Sequence, residues 1–500
     1  MNFVGNTVYS DEELSKLSKH VLQKLITIDD VLHLAQAITQ KYNYDGYITS
    51  LAFIPEQDVV DGKITIQIIE SKVGSITMEG NKWARDRFIK NGILHPCGLR
   101  EGKIFRVTDV DKSLKEFKKY NYLKSDIYVE DSGELEKTNI HLNVKDRFPI
   151  TFNTSWDDYG RNLVGLQRAT LVLGNENLTG FGDKVYGGTV LAHGTTGALA
   201  GYQIPISKYG TKLAFDYGYT RVKLGQDLKP YGIKGTYTSY LTRIIQPLYK
   251  SSSTEVEGSI GFDFNNSNSR LGLMNMEMSD YSLRVLRGNI YATHDDRLGR
   301  SLVSFNSDFG FSGLGATKQE GNNARTKFTK FGLNAIRLHR LPFEGSYLVM
   351  KLGGQYSPDP LYPIEQMQMG GFNSIRGYST GVLIADYGYS GSIELRTPVP
   401  GFQKILPDKY KQISDRVKLV WFYDFGYLKE HKNLYNYAQN FMQGAGGGLN
   451  VYLSDALSLN LAVGVPLGKN DYKDGSARFY FSLNSAIDNI LYRKFHKEYL

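Results

Sequence analysis

From Phe148 onward the chain is written in a period of two, and that period constrains its fold more than any other feature. Ile150, Phe152, Thr154 and Trp156 alternate with Thr151, Asn153, Ser155 and Asp157. Successive side chains of a strand point to opposite faces, so the alternation describes a sheet with two different surfaces. Similar segments follow at 211–219, 236–244, 255–264, 302–311, 346–356, 388–397, 417–427, 446–453, 457–465 and 477–483, separated by polar breaks rich in Gly, Asn and Asp. One face carries Ser, Asn, Gly and charge, the other Trp, Tyr, Phe, Leu and Val. A lipid-facing exterior and a watery lumen produce that division. A soluble β-sandwich array would also give two-faced strands, with one face buried in protein. So long a sheet would expose its edges unless it closed. About 350 residues at about 22 per strand and connection give roughly 16 strands, an even number as single-chain bacterial barrels require.

The segment 417–427 sharpens the reading. Phe422, Asp424 and Gly426 share one face with Lys418, while Trp421, Tyr423, Phe425 and Tyr427 share the other. An aromatic outer face around a lone inner carboxylate is how the wall of a membrane β-barrel looks. That inward carboxylate needs a cationic partner. Upstream, in a Gly-rich and loop-like stretch, stands Ile375-Arg376-Gly377-Tyr378. An extracellular loop folded into the lumen would bring Arg376 to Asp424, and a loop so tucked suits a gated transporter better than an open pore. The competing reading leaves Arg376 solvated in an outside loop.

Composition agrees. The 500 residues include 52 Gly and 35 Tyr but only 14 Pro, as suits aromatic girdles and frequent turns. No run of about 20 apolar residues exists, which excludes a transmembrane helix and leaves barrel strands open. The lone Cys97 can form no internal disulfide and has no Cys/His signature around it. The net charge of +8 is mild, with basic residues among acidic ones as in Lys115-Glu116-Phe117-Lys118-Lys119, which describes a solvated face and no nucleic-acid partner. No cofactor or metal is expected. His294-Asp295-Asp296 reads as a solvated inter-strand turn whose adjacent side chains diverge, not as a ligand set. Tyr427 and Phe479 read as lipid-facing girdle. The sequence shows no signal peptide, and its first residues already read as the end of a strand, so a processed or shortened form is expected.

Residues 1–147 read as mixed α/β. Ser10 with Glu13 forms a capping box, followed by Leu14, Leu17, Val21, Leu22 and Leu25 at helical spacing. Thr27 with Asp30 opens a second helix whose apolar face is Val31, Leu34, Ala35 and Ile38. Strands at 47–54 and 63–69 flank the turn signal Asp61-Gly62. This β-α-α-β-β order recurs more loosely, with a strand at 74–78, a short helix at 84–91, a helix opened by Thr108 and Asp111, and strands at 123–130 and 139–144. Two copies of one small module account for the pattern, and a single larger α/β domain is the alternative.

The first module carries Tyr44-Asp45-Gly46-Tyr47-Ile48-Thr49-Ser50, Pro55-Glu56-Gln57-Asp58 and Asp61-Gly62-Lys63-Ile64-Thr65-Ile66. These resemble the first polypeptide-transport-associated (POTRA) domain of two-partner secretion transporters, the TpsB family that includes haemolysin secretion/activation proteins. Gly46, Tyr47, Pro55, Gln57 and Asp58 fall on the motif positions, and Ile64 stands where the family has Leu. Residues 74–147 resemble the second such domain. Asn177 to Asp183 resembles an early N-L-x-G-x-G-D hairpin, Ile375 to Tyr378 the tip of the family's long sixth extracellular loop, and Phe422 to Gly426 its F-x-D-x-G strand. The stretches 444–449 and 461–466 resemble late strands of the family's barrel. The resemblance spans essentially the whole chain, as 1–73, 74–147, a barrel at 148–485 and a tail at 486–500. It departs in two places. The chain begins too late to hold a plug helix, and 479–483, where a terminal aromatic is usual, is followed by the tail.

The resemblance implies a bacterial outer-membrane pore with POTRA domains in the periplasm. The partner implied is an unfolded exoprotein bearing an N-terminal secretion domain. Membrane lipids would surround the barrel, and the general barrel-assembly machinery would insert it. No Walker-type phosphate loop is present, so no ATP-driven motor is expected. An extended substrate segment could add to an exposed sheet edge. Arg376 and Asp424 would form the central contact, Gly377 the tight tip and Gly426 the space for it, while Tyr378 would pack on the wall near Phe422. A related factor that assembles outer-membrane proteins or autotransporters is the main alternative, and it usually carries more POTRA modules. A passive porin would lack those modules. An enzyme would need a nucleophile set, and no G-x-S-x-G elbow stands out.

Overall fold

The computed structural model describes residues 1–18, 27–59, 62–207, 209–251, 253–318, 324–401, 416–431, 440–468 and 475–486. Val21, Leu22 and Leu25 of the expected first helix, Asp61 of the expected turn, and positions 487–500 of the expected tail lie outside these residues. The chain divides into two compact units, one of Met1–Pro149 with Thr179–Gly182, the other of Ile150–Leu178 and Asp183–Leu500.

The first unit holds two small sheets of the same topology. The first is built from β1 (Asn2–Val4), α1 (Asp11–Ser18), α2 (Ile28–Tyr44), β2 (Leu51–Phe53) and β3 (Thr65–Ile69), with β1 parallel and β2 antiparallel to the central β3. Thr27 and Asp30 cap α2 reciprocally, and Ser10 and Glu13 do so for α1. Such boxes satisfy the free N–H groups of the first turn. Val31, Leu34, Ala35 and Ile38 then fall on one face of α2, and pack with Phe3, Leu14, Ile66 and Ile68.

The second sheet places β4 (Lys72–Glu79) parallel and β5 (Leu123–Asp131) antiparallel to β6 (Lys137–Asp146). Its helices are α3 (Asp86–Phe88), a π-helical turn at Ile89–Leu94, α4 (His95–Cys97) and α5 (Val107–Phe117). The helical stretch expected at 84–91 therefore continues to Cys97. It stops at Gly98, whose φ of +106° suits glycine and whose added Cβ would lie 2.3 Å from Asp109. Ile89, Ile93 and Leu94 are fully buried against Phe105, Leu123 and Leu142.

The second unit is a closed antiparallel barrel of 16 strands among the described residues. In chain order these are β7 (Ile150–Asp157), β8 (Arg168–Asn175), β9 (Lys184–Ala192), β10 (Thr195–Pro205), β11 (Lys212–Lys223), β12 (Lys234–Lys250), β13 (Thr254–Leu271) and β14 (Met276–Asp296). Then follow β15 (Gly299–Phe311), β16 (Thr329–Arg340) and β17 (Tyr347–Tyr356). The short pair β18 (Met367–Met369) and β19 (Leu383–Ala385) stands apart from the wall. The wall resumes with β20 (Tyr387–Pro398), β21 (Val417–Lys429), β22 (Phe441–Tyr452), β23 (Leu457–Leu467) and β24 (Arg478–Ala486). Pairing of β24 with β7, from Ser482 opposite Asp157 to Ala486 opposite Asn153, closes the ring. Closure removes the unpaired edges that an open sheet of this size would expose.

Alternation runs as expected along β21, where Trp421 and Tyr423 are exposed while Val420, Phe422, Asp424, Gly426 and Leu428 are buried. Counting hairpins from β7, the connections after β7, β9, β11, β13, β15 and β17 open at one rim. The run His294-Asp295-Asp296 ends β14 rather than forming the turn. Asp296 accepts the turn amides of Leu298 and Gly299 and pairs with Arg337 at 2.7 Å.

Candidate functional site

The connection from β17 to β20 is the longest between described wall strands and carries Arg376. Strand geometry prepares the surface it meets. On β20, Ser392 and Glu394 share a face, and on the adjacent β21 their register partners are Asp424 and Phe422. Two carboxylates therefore stand on neighbouring strands, both almost fully buried. Buried carboxylates are tolerated when paired and fully hydrogen-bonded.

Arg376 supplies the pairing. Its Nε donates to Asp424 Oδ2 at 2.7 Å and its Nη2 to Asp424 Oδ1 at 2.7 Å, a bidentate fork. Its backbone N–H donates to the same Oδ2 at 3.0 Å. Nη1 reaches Glu394 Oε1 at 2.8 Å and Nη2 reaches Ser392 Oγ at 3.0 Å. The guanidinium lies 3.4 Å from the centroid of Phe422, so the ring face adds a cation–π contact. Glu394 is held in turn by Arg396, whose Nη2 donates to Oε2 at 2.7 Å. Lys351 stands 3.6 Å from the other oxygen.

The rest of the motif seats this contact. Gly377 has φ +100°, and its N–H donates to Tyr480 Oη at 2.9 Å. The Tyr480 hydroxyl donates onward to Tyr378 O at 3.2 Å. Tyr378 directs its own hydroxyl to Gln443 O at 3.0 Å and Leu467 O at 3.3 Å. Ile375 and Tyr378 pack with Met369, Leu383, Leu428 and Met442, all nearly inaccessible. Tyr378 is therefore not grouped with Phe422. Phe422 instead lies beneath Arg376 and clusters with Val420, Ala462 and Tyr480.

Glycines on the wall make the close approach feasible. A Cβ at Gly444 would stand 2.0 Å from Arg376 O, and one at Gly464 would stand 2.6 Å from Gly377 N. At Gly426 a Cβ would meet Met369 Sδ at 2.6 Å. Sequence reasoning named Gly426 but not Gly444 or Gly464 as part of the site. It also missed Ser392, Glu394 and Tyr480. The signal for Glu394 was available, because Ser390, Ser392, Glu394 and Arg396 repeat at period two on β20.

The motif residues of the first module are structural in their contacts. Gly46 has φ +93°, and its carbonyl accepts Val107 N–H at 2.9 Å. The Arg106 guanidinium sits 5.3 Å from the Tyr47 ring and donates to Asp45 O at 2.9 Å. Gln57 mimics a strand neighbour for Thr65, donating to its O and accepting from its N–H, both at 2.7 Å. Its Nε2 also lies 3.4 Å from Pro55 O, while Asp58 is exposed. A polar centre not foreseen from sequence is Glu70, which accepts from Thr7 N and Val8 N at 2.7 Å each, from the Thr7 hydroxyl, and from Tyr42 Oη at 2.7 Å. Burial pushes the Glu70 carboxyl up, but these donors outweigh it and hold the group below the usual range. Burial and then the bond to Glu70 push the Tyr42 phenol well up.

Comparison with known proteins follows the same lines. The family described as haemolysin secretion/activation protein ShlB/FhaC/HecB matches residues 136–451, and the ShlB-type POTRA domain matches residues 1–71. The heme/hemopexin transporter protein HuxB of Haemophilus influenzae is 20% identical over 485 residues, covering 94% of this chain and 83% of HuxB. Among solved structures, CdiB from Escherichia coli superposes with a TM-score of 0.76 at 20% identity, over 97% of this chain and 89% of CdiB. BamA from Haemophilus ducreyi lacking POTRA domains 1–3 superposes with a TM-score of 0.62 at 15% identity, over 97% of this chain and 99% of that one.

Proposed function

The chain belongs to the haemolysin secretion/activation protein family of outer-membrane transporters that export a secreted exoprotein, and from that premise we propose that the β17–β20 connection lies in the lumen and governs passage through it. The observation that carries this reading is the fully buried Asp424, whose charge is met by three hydrogen bonds from Arg376. A solvated outside loop would leave that carboxylate without its partner. The glycines at Gly426, Gly444 and Gly464 support it too, because side chains there would collide with the connection.

In this reading the modules at 1–73 and 74–147 receive the N-terminal secretion domain of the exoprotein. Both β2 and β5 are edge strands of their sheets among the described residues, and an extended segment adds to such an edge by backbone hydrogen bonds. The unfolded exoprotein then passes through the barrel to the rim bearing the β17–β20 connection. Folding outside prevents its return, and no ATP is consumed. The chain carries out no chemical step. Outer-membrane lipids contact the face bearing Trp421 and Tyr423, the general barrel-assembly machinery inserts the chain, and nucleic acid takes no part.

The test is deletion of the gene in its host, with proteomes of supernatant, cell surface and outer membrane compared. Loss of one large exoprotein with other barrels at normal abundance is expected. A general fall in many outer-membrane barrels would instead make the chain an assembly factor.

A further inference from the structure

The β17–β20 connection meets the barrel wall at a second place, through a residue of opposite charge. Glu365 lies eleven positions before Arg376 in the same connection and is 4% exposed. Its Oε1 accepts from Arg287 Nη2 at 2.7 Å, and its Oε2 accepts from Arg287 Nη1 at 3.3 Å and from Lys330 Nζ. Its carbonyl accepts from Gln355 Nε2 at 3.0 Å. Arg287 stands on β14 and Lys330 on β16, five and three strands around the ring from the β21 strand that holds Asp424. The neighbouring loop residues follow Glu365 to that sector. Leu361 packs with Leu283, Val285 and Phe328, and Tyr362 stacks on Tyr281 at 4.4 Å.

The two contacts differ in what they leave behind. In the Glu365 sector the wall supplies its own counter-charges. Arg287 Nε bonds Asp263 Oδ2 at 2.8 Å and its Nη1 bonds Asp308 Oδ2 at 3.0 Å, while Lys330 Nζ lies 3.3 Å from the same Asp308 oxygen. Arg287, Asp308 and Lys330 are direct register partners across β14, β15 and β16. Two cations and two carboxylates therefore remain paired on the wall if Glu365 departs. At the other contact, Arg376 is what meets the charge of Asp424, so its departure strands a buried carboxylate.

We propose that Glu365 is a releasable latch of the lumenal connection and Arg376 its fixed anchor, so that the pore opens along β13–β16 while the Arg376 contact stays made. This rests on the lumenal reading above. When Glu365 leaves, water replaces one carboxylate against a row that is already neutral. The connection then swings about its Arg376 end and uncovers the sector lined by Arg287 and Lys330.

The experiment is single-channel recording of the purified full-length protein in planar lipid bilayers. Glu365→Gln, Lys330→Met and a deletion of residues 361–378 are compared with the unaltered chain. Each is first checked for a folded barrel by its faster electrophoretic migration before boiling. Glu365→Gln is nearly isosteric, removes the charge and leaves one acceptor oxygen where there were two, and Lys330→Met weakens the same contact from the wall side if the first variant fails to fold. Both are expected to raise open probability several-fold, with exoprotein secretion retained in the host. If the deletion raises conductance but both substitutions record as the unaltered chain does, the latch is overturned and the lumenal reading stands. If the deletion leaves conductance unchanged, the lumenal reading falls and the latch with it.

Discussion

Arg376 and Asp424 are joined by a bidentate fork at 2.7 Å and by the Arg376 backbone N–H at 3.0 Å. The fork is a demand for shape as well as for charge. Arg376→Lys keeps the charge but presents no planar pair of donors. We expect it to behave nearly as poorly as Arg376→Ala in exoprotein secretion, with both variants still detectable in the outer membrane.

Asp424→Asn is nearly isosteric and removes the charge that Arg376 is built to meet. Breaking a buried pair from one side costs about 3–5 kcal/mol. The variant should lose its fast-migrating folded form at a distinctly lower temperature in a heating series. Unchanged thermal stability would mean that the pair is not buried between the connection and the wall.

The glycine bed gives an ordered prediction. A methyl group at Gly444 would meet the Arg376 carbonyl at 2.0 Å, so the backbone of the connection itself must move, whereas one at Gly426 would meet the Met369 side chain at 2.6 Å and the Tyr389 carbonyl of the neighbouring wall strand at 2.9 Å, with no backbone atom of the connection among its nearest contacts. Gly444→Ala should therefore release the connection and make it sensitive to protease added outside cells. Gly426→Ala should leave it far less sensitive.

The first module should weaken in acid. The Glu70 carboxyl is held below its ordinary value by donors that outweigh the effect of burial. Its contribution is fully present above the unfolded value of about 4.3, and is lost as pH falls through the lower folded value. Hydrogen exchange at Thr7 and Val8 in the full-length protein, corrected for intrinsic rates, should stay slow near neutral pH and quicken in that acid window. Glu70→Gln should quicken it at neutral pH as well.

Gln57 offers a local counterpart. Gln57→Glu keeps the acceptor for Thr65 N–H and loses the donor to Thr65 O. One hydrogen bond of about 1 kcal/mol is lost and a repulsive contact replaces it. Exchange at the β3 amides should quicken in this variant without change in β6.

What the sequence disclosed followed from how strongly each face was marked. Along β21 aromatic residues alternate with Asp424 and Gly426, so its two faces and the need for a cationic partner could be read directly. Strands β8, β9, β10, β14 and β16 were not singled out; in β9 and β10 Gly, Ala and Thr dilute the contrast between faces, as in Lys184-Val185-Tyr186-Gly187-Gly188-Thr189 of β9, and in β14 the adjacent Val285 and Leu286 break the period of two. Glu394 and Tyr480 stayed hidden for a different reason. The period of two on β20 marks the face of Glu394 but not its partner, and the register of the closed ring is what brings Glu394 to Arg376 and Tyr480 to Gly377. Tyr378 was expected to pack on the wall near Phe422, but the guanidinium occupies the Phe422 face and leaves Tyr378 to the β22–β23 side. Glu70 follows a short strand, and its donors come from Thr7 and Val8, over 60 residues away in sequence, and from Tyr42 on α2.

The most direct test of export through the barrel is photo-crosslinking during secretion. A photoreactive amino acid is placed at Lys351, which lies 3.6 Å from Glu394 on the face that meets Arg376, and separately at Trp421 on the exposed opposite face. The exoprotein is stalled in transit by a tightly folded fusion. The account predicts an exoprotein adduct from position 351 and none from position 421. An adduct from position 421 alone, or none from 351 while export proceeds, would contradict it.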